Sequence, residues 1–333
     1  LHITALVEAP EHVCCRYRLA AFRPALEQAG HHLELLPVRG AWWPGNDLRR
    51  ADVVVLQRKL LPTWQLFLLR RAARNLVFDF DDAVFHRDSY AGKGVASPRR
   101  WRRFTSLAAC ADGFIAGNSF LAARLLAAGA DADQVTVIPT CVDPAQYPLA
   151  RHERQGSGLQ LVWVGSSSTL RGLETVRLLL EALGAAGHGW KLKLICDRFL
   201  NLRHLPVIEC PWSEETEADE IAAADIGISW LPDDAWSRGK CGLKVLQYMA
   251  AGLPVIGNPV GVQVEMIEHG VTGFLATRPG EWLSAVRRLA DSPELRRQMG
   301  AAARRRVEER YSVQVGAEKW QNLLGRFQSR QAA

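Results

Sequence analysis

The sequence has 333 residues, 48% of them hydrophobic and 23% charged, which excludes a disordered chain and is long enough for two cores. A formal charge of +6 favours anionic partners, but no zinc-finger spacing, RNA-recognition signature or heptad repeat points to nucleic acid. The seven cysteines contain no C-x-x-C pair and read as reduced thiols of a cytoplasmic protein. No apolar run reaches the roughly eighteen residues of a membrane span, and the opening LHITALVEAP reads as a strand, not a signal peptide.

In chain order, His2 to Val7 reads as a buried strand. Residues 16–29 read as one helix, with Leu19, Phe22, Leu26 and Ala29 on one face and Gly30 as its stop. Strands over 33–38, 52–57 and 76–80 follow, with a helix over 66–74 that ends in basic residues. Apolar strands alternating with helices predict a parallel, doubly wound sheet, whose ligands bind beyond the carboxyl ends of the strands.

That rule draws attention to Asp79-Phe80-Asp81-Asp82 at the end of the fourth strand. Three carboxylates there are costly unless used or solvated. Three readings stay open: an acceptor-side site in which Asp81, Asp82 or His86 orients a hydroxyl, capping of the following segment, or a D-x-D metal site. Further on, Arg99 to Phe104 sets four arginines around two aromatics. This cluster could lie on an anionic membrane surface or grip a lipid-linked phosphate, or it is a solvated helix start with its aromatics turned inward, the reading favoured here.

A strand over 112–116 leads to Gly117-Asn118-Ser119, where Asn118 or Ser119 suits a helix N-cap. After a strand over 135–139, the polar residues 144–158 read as a linker, and the pattern restarts. A strand over 159–164 runs into Gly165-Ser166-Ser167-Ser168-Thr169-Leu170-Arg171, a turn whose free N–H groups suit a diphosphate or merely cap a helix. Strands over 191–196, 207–210 and 225–231 follow, with a helix over 214–224. Trp236 is placed either to close over a ligand or to be buried. Gly239 and Gly242 then open a helix with Leu243, Leu246, Gln247 and Ala250 at helical spacing. Gly252 is its C-cap, Pro254 forbids continuation, and 253–256 is a short strand. Arg238, Lys240 and Lys244 crowd the turn, so it is either an anion site or a structural turn with solvated cations. Helices over 281–289, 293–310 and 313–327 complete the pattern, and Arg304, Arg305 and Arg306 read as an exposed basic face.

Residues 236–274 resemble the signature region of glycosyltransferase family 4 enzymes, which have the GT-B fold. The likeness runs through Gly242-Leu243, Gln247-Tyr248-Met249-Ala250, Gly252-x-Pro254-Val255-Ile256, Glu265 and Gly270-x-x-Gly273-Phe274. Residues 118–143 resemble the end of that family's N-terminal half. The resemblance implies an E-x7-E pattern whose first Glu contacts the donor sugar and whose second binds the ribose of the nucleotide. Those positions are Gly239 and Gln247 here. It also implies an R-x4-K grip on the diphosphate, which falls on Ser166 and Arg171. Lys244 matches a K-x-x-(E/Q)-Y variant. Gly165, Trp236, Arg238, Lys240, Gly242, Leu243 and Glu265 complete the donor side.

The expected fold is α/β, two Rossmann-like domains facing a cleft: 1–150 for the acceptor, 151–312 for the donor, and a helix over 313–333 crossing back to the first. The activity implied by the resemblance is retaining, metal-independent transfer from a nucleotide-diphosphate sugar to a glycan or lipid-linked hydroxyl, without cofactor. Asp81, Asp82, His86 and Lys244 are the catalytic candidates. The alternatives are a nucleotide-sugar binder that no longer transfers, or a non-catalytic subunit of a polysaccharide assembly complex. The expected location is the cytoplasm, at or near the inner face of the membrane. No P-loop, G-x-G-x-x-G turn, G-x-S-x-G elbow or H-E-x-x-H helix occurs.

Overall fold

The computed structural model describes residues 1–38, 48–154, 158–186 and 189–332. Residues 155–157 of the expected linker and Ala333 lie outside the described residues. The chain forms two compact units. The first comprises Leu1–Cys141, Asp234–Cys241 and Val313–Ala333, and the second Val142–Asp233 and Gly242–Ser312. The first boundary therefore falls at 141/142, not 150/151, and residues 234–241 belong with the amino-terminal half.

The first unit holds β1 (His2–Val7), β2 (His32–Pro37), β3 (Val53–Gln57), β4 (Leu76–Phe80), β5 (Gly113–Ala116) and β6 (Val135–Val137). They form one parallel sheet in the order β2-β1-β3-β4-β5-β6. Alternate side chains point to opposite faces of a strand. Leu56, Phe78, Phe80 and Phe114 accordingly pack under Phe104 and Leu121 on one face. Ile3, Val55, Val77 and Ile115 pack under Trp320, Leu323, Leu324 and Phe327 on the other. Those last four come from the helix Val313–Ala332, which belongs to this unit.

The single helix expected over 16–29 is instead broken into Val13–Arg18, a 3-10 turn Ala20–Phe22 and Arg23–Gln28. Pro24 is the reason: it donates no N–H, and its ring collides with the carbonyl four residues back, so it is tolerated only in a first helical turn.

The second unit holds β7 (Gln160–Val164), β8 (Lys191–Cys196), β9 (Val207–Pro211), β10 (Ile226–Ser229), β11 (Val255–Gly257) and β12 (Gly273–Leu275). The sheet is again parallel, ordered β12-β11-β10-β7-β8-β9. β12 was not expected, because it hides in the Gly270-x-x-Gly273 turn. A Cβ at Gly273 would run into the Val255 backbone, so pairing there needs glycine. The helix Leu243–Ala250 ends in a Schellman motif: the Leu253 N–H donates to the Tyr248 carbonyl (2.9 Å) and the Gly252 N–H to the Met249 carbonyl (3.0 Å), with Gly252 at φ +70°.

Two of the arginines expected on an exposed face are held by the protein. Arg304 donates to the carbonyls of Tyr147 and Ala250 and pairs with Glu308. Arg306 pairs with Glu268 (2.9 Å) and donates to the Glu265 carbonyl (2.7 Å). Sequence periodicity cannot reveal this, since the partners lie in other elements. All seven cysteines are free. Among the described residues no helix is long and apolar enough to cross a membrane.

Candidate functional site

In the second unit the strand order reverses direction between β7 and β10, and ligands of doubly wound sheets bind beyond the carboxyl ends at such a point. Gly165 follows β7 directly. A Cβ there would come within 2.5 Å of the Trp163 ring and 2.7 Å of the Thr169 hydroxyl, so only glycine lets the chain turn over Trp163. Ser166 caps the helix Ser167–Thr175. Its N–H donates to Thr169 Oγ1 (3.2 Å), and its hydroxyl lies 2.8 Å from Ser168 Oγ. The Ser167 N–H donates to Asp197 Oδ1 (2.6 Å), and the Ser167 hydrogen bonds hold that carboxyl below the usual range. This helix start therefore already faces an anion, which sequence reading missed because Asp197 follows a different strand. Arg171 is exposed on the same helix.

The helix Leu243–Ala250 stands beside that turn. It begins at Gly242, whose left-handed backbone (φ +66°) and missing Cβ are both needed: Met266 Sδ would lie 2.7 Å from one. Two contacts fix the helix over the end of β7. Lys244 Nζ lies 3.9 Å from the centre of the Trp163 ring, and the Tyr248 hydroxyl accepts from the Val164 N–H (2.9 Å). Gly165, Ser166, Gly242, Leu243 and Lys244 are thus brought to one end of the second sheet. Glu265 is exposed on the short helix Gln263–Met266.

Gln247, expected to reach a ribose, is only 2% exposed. Its Nε2 donates to Glu217 Oε2 (2.8 Å), and Trp212 Nε1 donates to Glu217 Oε1 (2.7 Å). Glu217 is itself 7% exposed. A carboxylate only accepts hydrogen bonds, so the amide nitrogen of Gln247 must face it, and the amide oxygen takes the other side. The amide of Gln247 is thereby fixed in one orientation. Glu217 is a residue that sequence reasoning missed: thirty positions separate the partners, and no local pattern connects them.

The remaining candidates lie in the first unit. Asp79 is fully buried and paired with Arg18, which also donates to the Ile138 carbonyl (2.6 Å). Burial raises the Asp79 carboxyl, while Arg18 pulls it the other way. Arg58 has a left-handed backbone (φ +58°), unusual for a side-chain-bearing residue. Its guanidinium pairs with both Asp81 (2.5 Å) and Asp82 (2.6 Å) and donates to Cys14 Sγ (2.7 Å). Lys240 adds a second cation to Asp82 (3.3 Å) and lies 5.2 Å from the centre of the Trp236 ring. Burial opposes ionisation of Asp82, but Lys240 and Arg58 outweigh it and hold the carboxyl below the usual range. Asp81 and Asp82 are therefore built into a charge cluster that takes up both carboxylates. Among the described residues no group of three or more His, Cys, Asp or Glu side chains is arranged to hold a metal ion. His86 lies against Phe85, with its Nδ1 buried and without a hydrogen-bond partner among the described residues. Burial, then the nearby Arg124, hold its imidazole below the usual pKa, so it is neutral near pH 7.

Residues 234–241 are stitched into this unit. Asn118 caps the helix Ser119–Ala127 through Oδ1 and donates from Nδ2 to the carbonyls of Gly239 and Lys240 (3.2 Å each). Ser237 Oγ meets Ser89 Oγ at 3.0 Å, and Cys241 joins the core. Trp236, Arg238, Gly239 and Lys240 are thus grouped with the aspartates, while Gly242 onward belongs to the second unit. Gly239 has a steric reason to lack a side chain: a Cβ would sit 2.7 Å from both the Cβ and the backbone nitrogen of Ala83.

Comparison with known proteins fits this picture. Residues 235–306 match the family described as "Glycosyl transferases group 1". The chain is similar to the D-inositol 3-phosphate glycosyltransferase of Pseudarthrobacter chlorophenolicus, 29% identical over 58% of this chain and 51% of that one. The first curated relatives match over only 19–22% of their own length. Among solved structures, the sucrose-phosphate synthase from Thermosynechococcus elongatus superposes with a TM-score of 0.75 at 15% identity, covering 99% of each chain. Anabaena Alr3699/HepE, solved in complex with UDP and glucose, gives 0.68 at 16% identity, covering 97% of this chain and 99% of that one. Residues 235–306 thus carry the likeness to the group 1 glycosyl transferases, and the two parallel sheets have the fold of GT-B glycosyltransferases.

Proposed function

We propose that the chain transfers a sugar from a nucleotide-diphosphate sugar to a hydroxyl of a glycan or lipid-linked acceptor, with retention of configuration and without metal or cofactor. The observation that carries this reading is the pairing, at the carboxyl end of β7, of two glycine-led helix starts with Lys244 held over Trp163. Negative charge grows on the leaving diphosphate as the glycosidic bond breaks. Lys244 and the N–H groups after Gly242 would stabilise that charge, more strongly in the transition state than in the ground state. Gln247, with its amide pinned by Glu217, would accept from a ribose hydroxyl. Since Arg58 and Lys240 engage both Asp81 and Asp82, neutral His86 is the better candidate to orient the acceptor.

The test is thermal unfolding with UDP, GDP, ADP and UDP-sugars, UDP first because Anabaena Alr3699/HepE is solved with it. A ligand at about a hundred times its Kd stabilises by about 2.7 kcal/mol. A shift with one nucleotide, followed by sugar release or transfer, supports the proposal; no shift with any sinks it. A second reading, a binder that no longer transfers, draws on the absence of both family acids, Gly239 and Gln247 standing in their places. It expects the same shift and no turnover.

A further inference from the structure

We infer that the outward face of the helix Thr63–Ala72 docks on an anionic phospholipid surface, a contact separate from sugar transfer. The helix is inverted relative to an ordinary surface helix. Leu66 and Leu69 point into the core, yet Trp64 is 62% exposed, Phe67 60% and Leu68 46%. Positions i, i+3 and i+4 share one helix face, so these three make a continuous apolar stripe where polar residues normally stand.

The surroundings say what covers it. Arg71 lies 5.7 Å from the Phe67 ring and is exposed; Arg70 and Arg74 flank the end of the helix. The helix Pro98–Ala108 packs alongside, its register set by Arg103 Nη1 donating to the Leu60 carbonyl (3.1 Å). Its own aromatics turn inward: Phe104 is buried, and Trp101 meets it at a tilt and Phe85 edge-on, each with ring centres 5.6 Å apart. Its exposed residues include Arg99 and Arg102, and those two crowd Arg103. The carboxylates paired within this patch are Asp52, 3.6 Å from Arg74, and Asp112, 3.4 Å from Arg70. An apolar stripe headed by Trp and rimmed by arginines matches a bilayer surface, where rings enter the headgroup layer and cations meet lipid phosphates. Nucleic acid would use the arginines but leave Leu68 and Phe67 uncovered.

Flotation with phosphatidylcholine vesicles, with and without phosphatidylglycerol, tests it. The wild-type chain is expected to float with the phosphatidylglycerol vesicles and to be released by salt. Trp64→Gln with Phe67→Gln should lower partitioning by about tenfold or more, with an unchanged Tm because both side chains are exposed. Arg99→Gln with Arg102→Gln should weaken binding to anionic vesicles only. Three results overturn the inference: a wild-type chain that never floats, a Trp64/Phe67 variant that floats like wild type, or lipid-free self-association abolished by that variant, which would make the face an interface between two copies.

Discussion

Restoring a side chain at Gly239 should damage the fold rather than return a donor contact. In Gly239→Ala the new Cβ would lie 2.7 Å from the Ala83 Cβ and from its backbone nitrogen, well inside the 3.4 Å at which ordinary contact begins. Neither obstacle is the free end of a flexible side chain, so the backbone of 236–241 must move. Overpacking of this kind costs about 1–3 kcal/mol. The move also strains, without breaking, the Asn118 hydrogen bonds to Gly239 and Lys240 and the Lys240–Asp82 pair, a loss of about 1 kcal/mol in all. The sum is about 2–4 kcal/mol, a Tm drop of roughly 5–10 °C for a unit of this size. Gly325→Ala is the control in the same unit. It sits in a helix with nothing within 4 Å of a Cβ, and should stabilise by about 0.5–1 kcal/mol. Calorimetric unfolding of both variants reads the contrast. A Gly239→Ala protein as stable as wild type would refute the steric account, and so would a Gly239→Glu protein that folds and binds donor more tightly.

Gly300→Ala should cost about 2–4 kcal/mol in urea unfolding, because its Cβ would strike the Gly252 carbonyl and push apart two helices that pack backbone to backbone. Glu217→Gln frees the Gln247 amide to turn, and UDP affinity should fall about tenfold or more, with recovery in the swapped variant Glu217→Gln with Gln247→Glu; equal affinity in the single variant, by calorimetric titration, would deny Glu217 its positioning role. Asp82 has a folded pKa below its unfolded value. Its stabilisation is therefore complete above the ordinary carboxylate range near pH 4 and is lost as pH falls through the depressed folded value. Unfolding free energy followed downward from pH 5 should drop less steeply in Asp82→Asn than in wild type.

The alternation of apolar strands and helices was legible because both sheets are parallel and buried on two faces, which makes each strand a short apolar run. What escaped was decided by distant partners or by backbone economy. β12 is three residues inside a glycine turn. Pro24 breaks a helix whose apolar spacing alone looks continuous. The glycine turns at 165 and 242 could be read as helix starts, but nothing local to Ser166 announces that Asp197 already faces its helix. Likewise the aspartates of 79–82 stood out as costly charges, while the arginines that neutralise them come from positions 18 and 58. Glu217 beside Gln247 is the clearest case: an amide was legible, but the group that fixes its orientation was not.

The helix Val313–Ala332 has a consequence for synthesis. By the time residue 137 has been made, every strand of the first sheet exists, yet the apolar residues Trp320, Leu323, Leu324 and Phe327 that roof Ile3, Val55 and Ile115 have not been made. The second unit has its last residue at Ser312 and can close before that roof arrives. Nascent domains ordinarily fold in the order they emerge. Here the half begun first is finished last, and the face of its sheet that Leu19, Phe22 and Leu26 only partly cover stays open on the ribosome while nearly two hundred further residues are added.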